Sequence, residues 1–333
     1  DEPTSVLNET EVKLLYEQVR RLAKLGHSVI FVSHRLDEVL ELTDRIYVFR
    51  DAENAGDFIT ADCTELMLYE AMVGKASTNE YYGLDRQREP DAEVVLETEK
   101  LHLFGQFKDV SFQLHRGEIL GFCGVVGSGK EELCYVLNGD EPPTDGRLKI
   151  RGKTAHYSSP ADALQNGLTM IPQERNAEGI FGILDITDNI AASSLKKNAH
   201  FIFLSGRKMV AQAKEWIERL RIRTPSHKTD VVNLSGGNAQ KVVFAKMLSS
   251  ECDIILLNHP TRGVDIGAKV EIYALIRQMA LEGKSVILLG DTLDECIGLS
   301  NRVLVMKDGL VTGEFDAPPD KKPGHLEILQ CMM

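Results

Sequence analysis

A chain of 333 residues with 43% apolar residues, 26% charged residues and a formal net charge of −12 has the composition of a globular protein long enough for two domains. That acidity, with nothing closer to a basic stripe than Lys196-Lys197, argues against a nucleic-acid partner held through its phosphates. No apolar run nears the about 18 residues of a membrane span, no signal peptide opens the chain and the six cysteines form no C-x-x-C pair, so a cytosolic or cytosol-facing peripheral protein is expected.

Sliding the sequence by 257 positions lays Pro3-Thr4 on Pro260-Thr261, Tyr16 on Tyr273, Ser28-Val29-Ile30 on Ser285-Val286-Ile287 and Leu36-Asp37-Glu38 on Leu293-Asp294-Glu295. Arg45 falls on Arg302, Gly56 on Gly313 and Phe58 on Phe315, which marks two copies of one unit. The second copy is expected to begin near Glu93, so the first would begin roughly 164 residues before Asp1. Residues 1–75 are accordingly read as the C-terminal part of a first copy. There the apolar spacing of Val12, Leu15, Val19 and Leu22 predicts a helix over Glu9 to Lys24 that stops before Gly26. A buried strand at Ser28 to Ser33, a short helix from Leu36 and a strand at Arg45 to Phe49 follow. Residues 76–92 are polar and aperiodic and read as a linker.

Residues 93–333 read as a complete second copy. Strands are expected near Val94 to Leu101 and Phe107 to Leu114, then an apolar run, Glu118 to Cys123, that leads into Gly124-Val-Val-Gly-Ser-Gly-Lys130-Glu131. A strand, a loop whose glycines let backbone N–H groups turn inward, a lysine and then a helix is the arrangement that cradles the β- and γ-phosphates of a nucleotide. The final position should carry Ser or Thr, whose hydroxyl holds Mg²⁺, yet Glu131 stands there. A carboxylate beside phosphates costs a few kcal/mol of repulsion even at an effective dielectric of about 20. Short strands at Arg147 to Ile150 and Leu168 to Ile171 and a mainly helical region over about Asp185 to Arg223 come next. Then follow the turn Leu234-Ser-Gly-Gly237, a helix over Asn238 to Leu248, a strand at Asp253 to Leu257, a helix over Ala268 to Glu282 and a strand at Ser285 to Leu289. The alternation predicts an α/β fold with a mostly parallel sheet, ligands at the C-terminal ends of its strands, a β-rich edge and a helical insert.

Leu234-Ser-Gly-Gly-Asn-Ala-Gln-Lys241 is the second strong motif, since a serine and two glycines at a helix start offer a hydroxyl, free N–H groups and the positive end of the helix dipole to an anion. Together with the phosphate loop, Pro172-Gln-Glu-Arg175 and Pro260-Thr-Arg-Gly-Val-Asp-Ile-Gly-Ala-Lys269, it makes the chain resemble an ATP-binding cassette (ABC) transporter ATPase of the P-loop NTPase fold. The narrower resemblance is to the tandem ATPases of ribose/galactose-type sugar and nucleoside importers, over essentially the whole chain.

That resemblance implies ATP and Mg²⁺ as ligands. It implies as partners a transmembrane permease, a second ATPase domain in tandem and, indirectly, a solute-binding protein. A peripheral place on the cytoplasmic face of the plasma membrane follows from the same source. Asp1 would bind Mg²⁺ through water, Glu2 would be the general base and His34 the switch that meets the γ-phosphate. Gly124, Gly127, Ser128, Gly129 and Lys130 would hold phosphate, and Gln173 would sense Mg²⁺ and face the permease. Either Phe104 or Phe107 would stack on adenine. Since ABC domains work head to tail, Ser235, Gly236 and Gly237 would complete a site built on Asp1, Glu2 and His34. In the second copy Asn258, His259 and Asp291 stand opposite Asp1, Glu2 and His34, and with Glu131 they alter the metal ligand, base, switch and hydroxyl at once. That site is expected to bind nucleotide weakly if at all and not to hydrolyse it. The alternative is a non-hydrolysing half that serves only to complete the ATPase site of a partner.

Overall fold

The computed structural model describes residues 3–4, 9–33, 36–50, 53–64, 67–68, 71–72, 82–156, 159–200 and 203–332. Contacts divide the chain into two compact units, Asp1–Tyr81 with Asp265–Gly267, and Tyr82–Val264 with Ala268–Met333.

In the first unit, helix α1 (Glu9–Lys24) ends where Gly26 adopts a φ of +87° that few other residues accept. Helix α2 (Leu36–Leu42) precedes an antiparallel hairpin, β1 (Arg45–Arg50) and β2 (Glu53–Ile59), bulged between Val48 and Phe49. Val39, Ile46, Val48 and Leu68 form its core.

The second unit begins with β3 (Val94–Leu103) and β4 (Phe107–His115), joined by β6 (Asp145–Ile150) and β7 (Lys153–Thr154) in an antiparallel sheet of order β4-β3-β6-β7. Its central sheet contains β5 (Ile119–Cys123), β8 (Leu168–Ile171), β11 (Ile254–Asn258), β12 (Ser285–Leu289), β13 (Arg302–Lys307) and β14 (Leu310–Asp316) in the order β14-β13-β5-β12-β11-β8. All neighbours are parallel except β13 and β14. Every residue of β5, β8, β11 and β12 is buried, as continuous apolar strands covered on both faces must be. The helices are α3 (Lys130–Asn138), α4 (Pro160–Gln165), α5 (Ile186–Ala191), α6 (Leu195–Asn198), α7 (Gly206–Arg219), α8 (Gly236–Leu248), α9 (Ile266–Leu281), α10 (Leu293–Leu299) and α11 (His325–Met332). A two-residue ladder, β9 (Ala199–His200) with β10 (Phe203–Leu204), interrupts the helical insert of α5 to α7.

The 257-residue offset reappears as geometry. Shifted by it, α1, α2, β1 and β2 coincide residue for residue with α9, α10, β13 and β14, and the bulge at Val48/Phe49 falls on that at Val305/Met306. Thr4 Oγ1 donates to Glu38 Oε2 at 2.6 Å, and Thr261 Oγ1 donates to the Glu295 carboxylate at 2.8 and 2.9 Å. One expected element does not repeat. Ser28 to Ser33 is not a strand, and Val29, Ile30 and Val32 are 45, 91 and 51% exposed. Its counterpart β12 is a strand because β5 and β11 bond it on both sides. Among the described residues of the first unit the only ladder is the antiparallel pair of β1 and β2, and nothing there bonds Ser28 to Ser33 in parallel. A buried parallel strand cannot form without ladder partners.

Of the expected linker, Tyr82 to Asp91 lie against the second unit. Tyr82 packs on Tyr273 with ring centroids 5.4 Å apart, and its carbonyl accepts from Arg277 Nε at 2.9 Å. Arg277 is 1% exposed and also donates to the carbonyl of Gly298, and burial pulls its guanidinium down to about 10. Asn301 donates to the Arg88 carbonyl at 2.6 Å, and Lys322 donates to Gln87 Oε1 at 2.8 Å.

Two predictions follow from this packing. A Cβ at Gly298 would lie 2.5 Å from Tyr82 Cγ, so Gly298→Ala should force the ring off its seat. A loss of about 1–3 kcal/mol in denaturant unfolding is expected. Burial raises the Glu295 carboxyl to about 7, against the hydrogen bond from Thr261 that favours its charged form. Since the folded value lies above the unfolded one, the folded state holds the extra proton between about pH 4.5 and 7, and stability falls as pH rises across that window. Glu295→Gln should remove that slope, worth up to about 3 kcal/mol, when melting is followed against pH.

Candidate nucleotide site

The phosphate loop springs from the C-terminal end of β5 and turns into α3. Gly127 and Gly129 have φ of +81° and +92°. A Cβ at Gly129 would meet the Gln106 carbonyl oxygen at 2.8 Å, and one at Gly124 would meet the Met306 carbonyl oxygen at 2.6 Å, so both glycines are required by close backbone approach. Ser128 is 1% exposed, and its Oγ has no hydrogen-bond partner among the described residues. Val125 and Val126 are exposed at the loop crest. The turn that rests on Gly129 places the two candidate aromatics differently. Phe107 is buried at 2% exposure and belongs to the core, whereas Phe104 is 83% exposed.

Lys130 is buried, and its Nζ donates to Glu131 Oε1 at 2.5 Å. The same oxygen lies 3.4 Å from His259 Nε2. His259 Nδ1 is 3.9 Å from Asp291 Oδ1, and Asp291 Oδ2 is 3.7 Å from Lys269 Nζ. Glu131 (after β5), His259 (after β11) and Asp291 (after β12) thus converge at one edge of the sheet. Burial opposes the charge on Glu131, but hydrogen bonds from His259 and Lys130 outweigh it and hold the carboxyl at about 2. Asn258 is fully buried, and neither its amide oxygen nor its amide nitrogen has a partner among the described residues.

This donor set does not fit Mg²⁺. The ion takes hard oxygen ligands in near-octahedral geometry. Here the hydroxyl is replaced by a carboxylate whose Oε1 is shared by the Lys130 ammonium and the His259 imidazole, and the expected aspartate is an amide. The imidazole sits where the family resemblance placed a general base.

The signature motif heads α8 separately. Ser235 is exposed, Gly236 half-buried and Gly237 buried. Ser235 Oγ does not cap its helix and instead accepts from Asn238 Nδ2 at 2.9 Å, while Asn238 Oδ1 accepts from the backbone N–H of Arg223. Gln240 donates to the Pro260 carbonyl at 2.8 Å, Lys241 pairs with Glu271, and Arg175 Nη1 donates to the Gly236 carbonyl at 3.1 Å. The Asn-x-Gln-Lys part of the motif, Arg175 and Lys269 had no separate role in the sequence reading. Arg175 and Gln240 tie the start of α8 to the turns after β8 and β11, while Lys269 faces Asp291. Gln173 occupies a half-buried bend after β8, leading into a π-helical turn at Arg175–Gly179. Lys246 Nζ donates to the Gly179 carbonyl and lies 4.6 Å from the Phe181 ring centre, which holds that turn in place. Asp1, Glu2 and His34 lie outside the described residues.

Comparison with known proteins agrees with this geometry. The ABC transporter family model matches residues 107–262. The ribose import ATP-binding protein RbsA of Jannaschia sp. (strain CCS1) is 40% identical over 95% of this chain and 61% of its own length. The arabinose import ATP-binding protein AraG 2 of Burkholderia cenocepacia (strain HI2424) is 41% identical over 96% of this chain and 62% of its own. The chain therefore spans about three fifths of the length of these relatives. Among solved structures, a nucleotide-free ATP-binding cassette from an ABC transporter superposes with a TM-score of 0.58 at 21% identity, over 67% of this chain and 92% of that one. The post-hydrolysis dimer of the cassette MJ0796 bound to ADP and Pi gives 0.57 at 20% identity, over 67% and 98%. Among the described residues no helix is long and apolar enough to cross a membrane. The α/β sheet, the loop after β5, the glycine turn before α8 and the extent of these matches identify this chain as carrying an ATPase domain of the ABC transporter family.

Proposed function

We propose that this chain is part of the ATP-binding and ATP-hydrolysing subunit of an ABC importer for monosaccharides or nucleosides. Residues 1–75 are read as the end of a first ATPase domain, 76–92 as linker and 93–333 as a second ATPase domain. The subunit would sit peripherally on the cytoplasmic face of the plasma membrane, drive a permease, and act with a solute-binding protein through it. The observation that carries this reading is the contrast within the second copy. Its signature turn is braced at the surface by Arg175 and Asn238, while its own site carries Glu131, after the loop, and His259, after β11, in place of a hydroxyl and a general base. Relatives named for ribose and arabinose import support the solute class.

On this reading Ser235, Gly236 and Gly237 serve an ATP whose phosphate loop belongs to another ATPase domain. Water attacks the γ-phosphorus as the bond to the β–γ bridging oxygen breaks, Glu2 takes the proton, and His34 meets a γ-phosphate oxygen. Asp1 would hold Mg²⁺ through water. ATP binding closes the pair of domains, and hydrolysis with release of Pi reopens it. Gln173 and the exposed Phe181, Ile183 and Val232 suit a permease-facing surface, since contiguous exposed apolar side chains mark interaction sites. The ion pairs on Glu131 favour a second reading for residues 93–333 alone, a nucleotide-binding half that does not hydrolyse.

ATPase assays on the chain extended upstream to its relatives' length test this. Glu2→Gln and Ser235→Arg should each lower kcat by about 100-fold or more, and Lys130→Ala by no more than about tenfold. Loss of hydrolysis in Lys130→Ala with an active Glu2→Gln would place the chemistry in the second copy instead. In a separate titration, Phe104→Ala should weaken ATP binding about five- to tenfold by loss of stacking. Phe107→Ala should act on the fold instead, costing about 3 kcal/mol in unfolding experiments.

A further inference from the structure

Resting on the nucleotide-binding reading of the loop, we propose that Gly124–Lys130 takes a nucleoside di- or triphosphate free of divalent cation, with the Lys130–Glu131–His259 cluster standing where a metal ion would be. The geometry gives three independent supports. Lys130 Nζ and His259 Nε2 both converge on Glu131 Oε1, at 2.5 and 3.4 Å, so the carboxylate is already neutralised by side chains of the protein. A divalent cation entering there would have to displace the Lys130 ammonium or sit against it, and like charges at such range in a half-buried site repel strongly.

The second support is Asn258. It is fully buried at the C-terminal end of β11, with both amide atoms unpartnered among the described residues. A buried amide without a partner costs free energy until a ligand or water satisfies it. Its N–H group suits a phosphate oxygen, which a carboxylate at this position would not without a metal between them. The third is His259 itself, held at a φ of +50° that a non-glycine residue seldom adopts, with Nδ1 buried and lacking a hydrogen-bond partner among the described residues. Such strain persists where the surroundings over-determine it, as at ligand sites. The groups facing the imidazole are Glu131 on one side and Asp291 on the other, with Lys269 behind Asp291. Carboxylates on both faces hold the imidazole in its orientation, and the buried Lys130 ammonium beside it supplies the fixed positive charge at the loop.

Calorimetric titration of the 333-residue chain with ATP, in excess EDTA and in excess magnesium chloride, tests the proposal. The expected result is an affinity in EDTA at least equal to that in magnesium. A gain of about threefold or more from magnesium overturns it. Lys130→Ala should weaken binding in EDTA by about tenfold or more; unchanged binding would show that the nucleotide sits elsewhere and overturn it too. The variant carrying Glu131→Thr, Asn258→Asp and His259→Glu, with Glu131→Thr alone as a milder form, should acquire a requirement for magnesium. If the wild-type chain binds no ATP in either buffer but the variant binds it with magnesium, this inference falls and the nucleotide-binding reading stands. If neither binds although both melt cooperatively, both fall.

Discussion

The parallel ladder around β5 is the constraint on which the rest depends. Its five residues are wholly buried, and β12 and β13 bond it on either side. Because the strand cannot move, the chain leaving it must turn at Gly124 under the Met306 carbonyl and at Gly129 under the Gln106 carbonyl. Those two close approaches fix where α3 begins and so where Lys130 enters the site. The same ladder carries the ends of β11 and β12 to that edge, which is how Asn258, His259 and Asp291 reach Glu131 from distant points in the sequence.

Once gathered, these side chains balance one another. Lys130, Glu131, His259, Asp291 and Lys269 run as a chain in which each charged or ionisable group faces an opposite one. Against the first copy, Glu2 is exchanged for His259 and His34 for Asp291, so a pair of acid and imidazole is kept with its order reversed. Random decay of a catalytic site would leave buried charges unpaired, which is expensive. Here the substitutions compensate in charge, and the loop glycines that phosphate binding needs are retained.

The signature turn has a different mechanical basis. Its stability comes from neutral and charge-assisted hydrogen bonds to backbone carbonyls, Gln240 to Pro260 and Arg175 to Gly236, rather than from ion pairs within a pocket. The bracing ties the turn after β8, the start of α8 and the turn after β11 together. The loop and the signature can therefore change independently, one altered in chemistry and the other preserved in shape.

Much of this was legible in the sequence. Apolar runs marked β5, β11 and β12, and the offset of 257 residues matched the counterpart helices and hairpins and laid Thr4 and Glu38 on Thr261 and Glu295, which pair in both copies. Local pattern suffices for such elements because helices and hairpins satisfy their backbone groups from nearby residues. It also sufficed for the loop and the signature, whose glycines are demanded by backbone geometry. What only the tertiary structure decided were matters of long-range pairing and burial. Ser-Val-Ile opens a strand at Ser285 and none at Ser28, because a parallel strand draws its hydrogen bonds from neighbours remote in sequence. One turn puts Phe104 on the surface and Phe107 in the core, a difference that residue type does not show. The convergence of Lys130 and His259 on one oxygen of Glu131 could not be read from residue types, since it depends on three strand ends meeting within hydrogen-bonding distance.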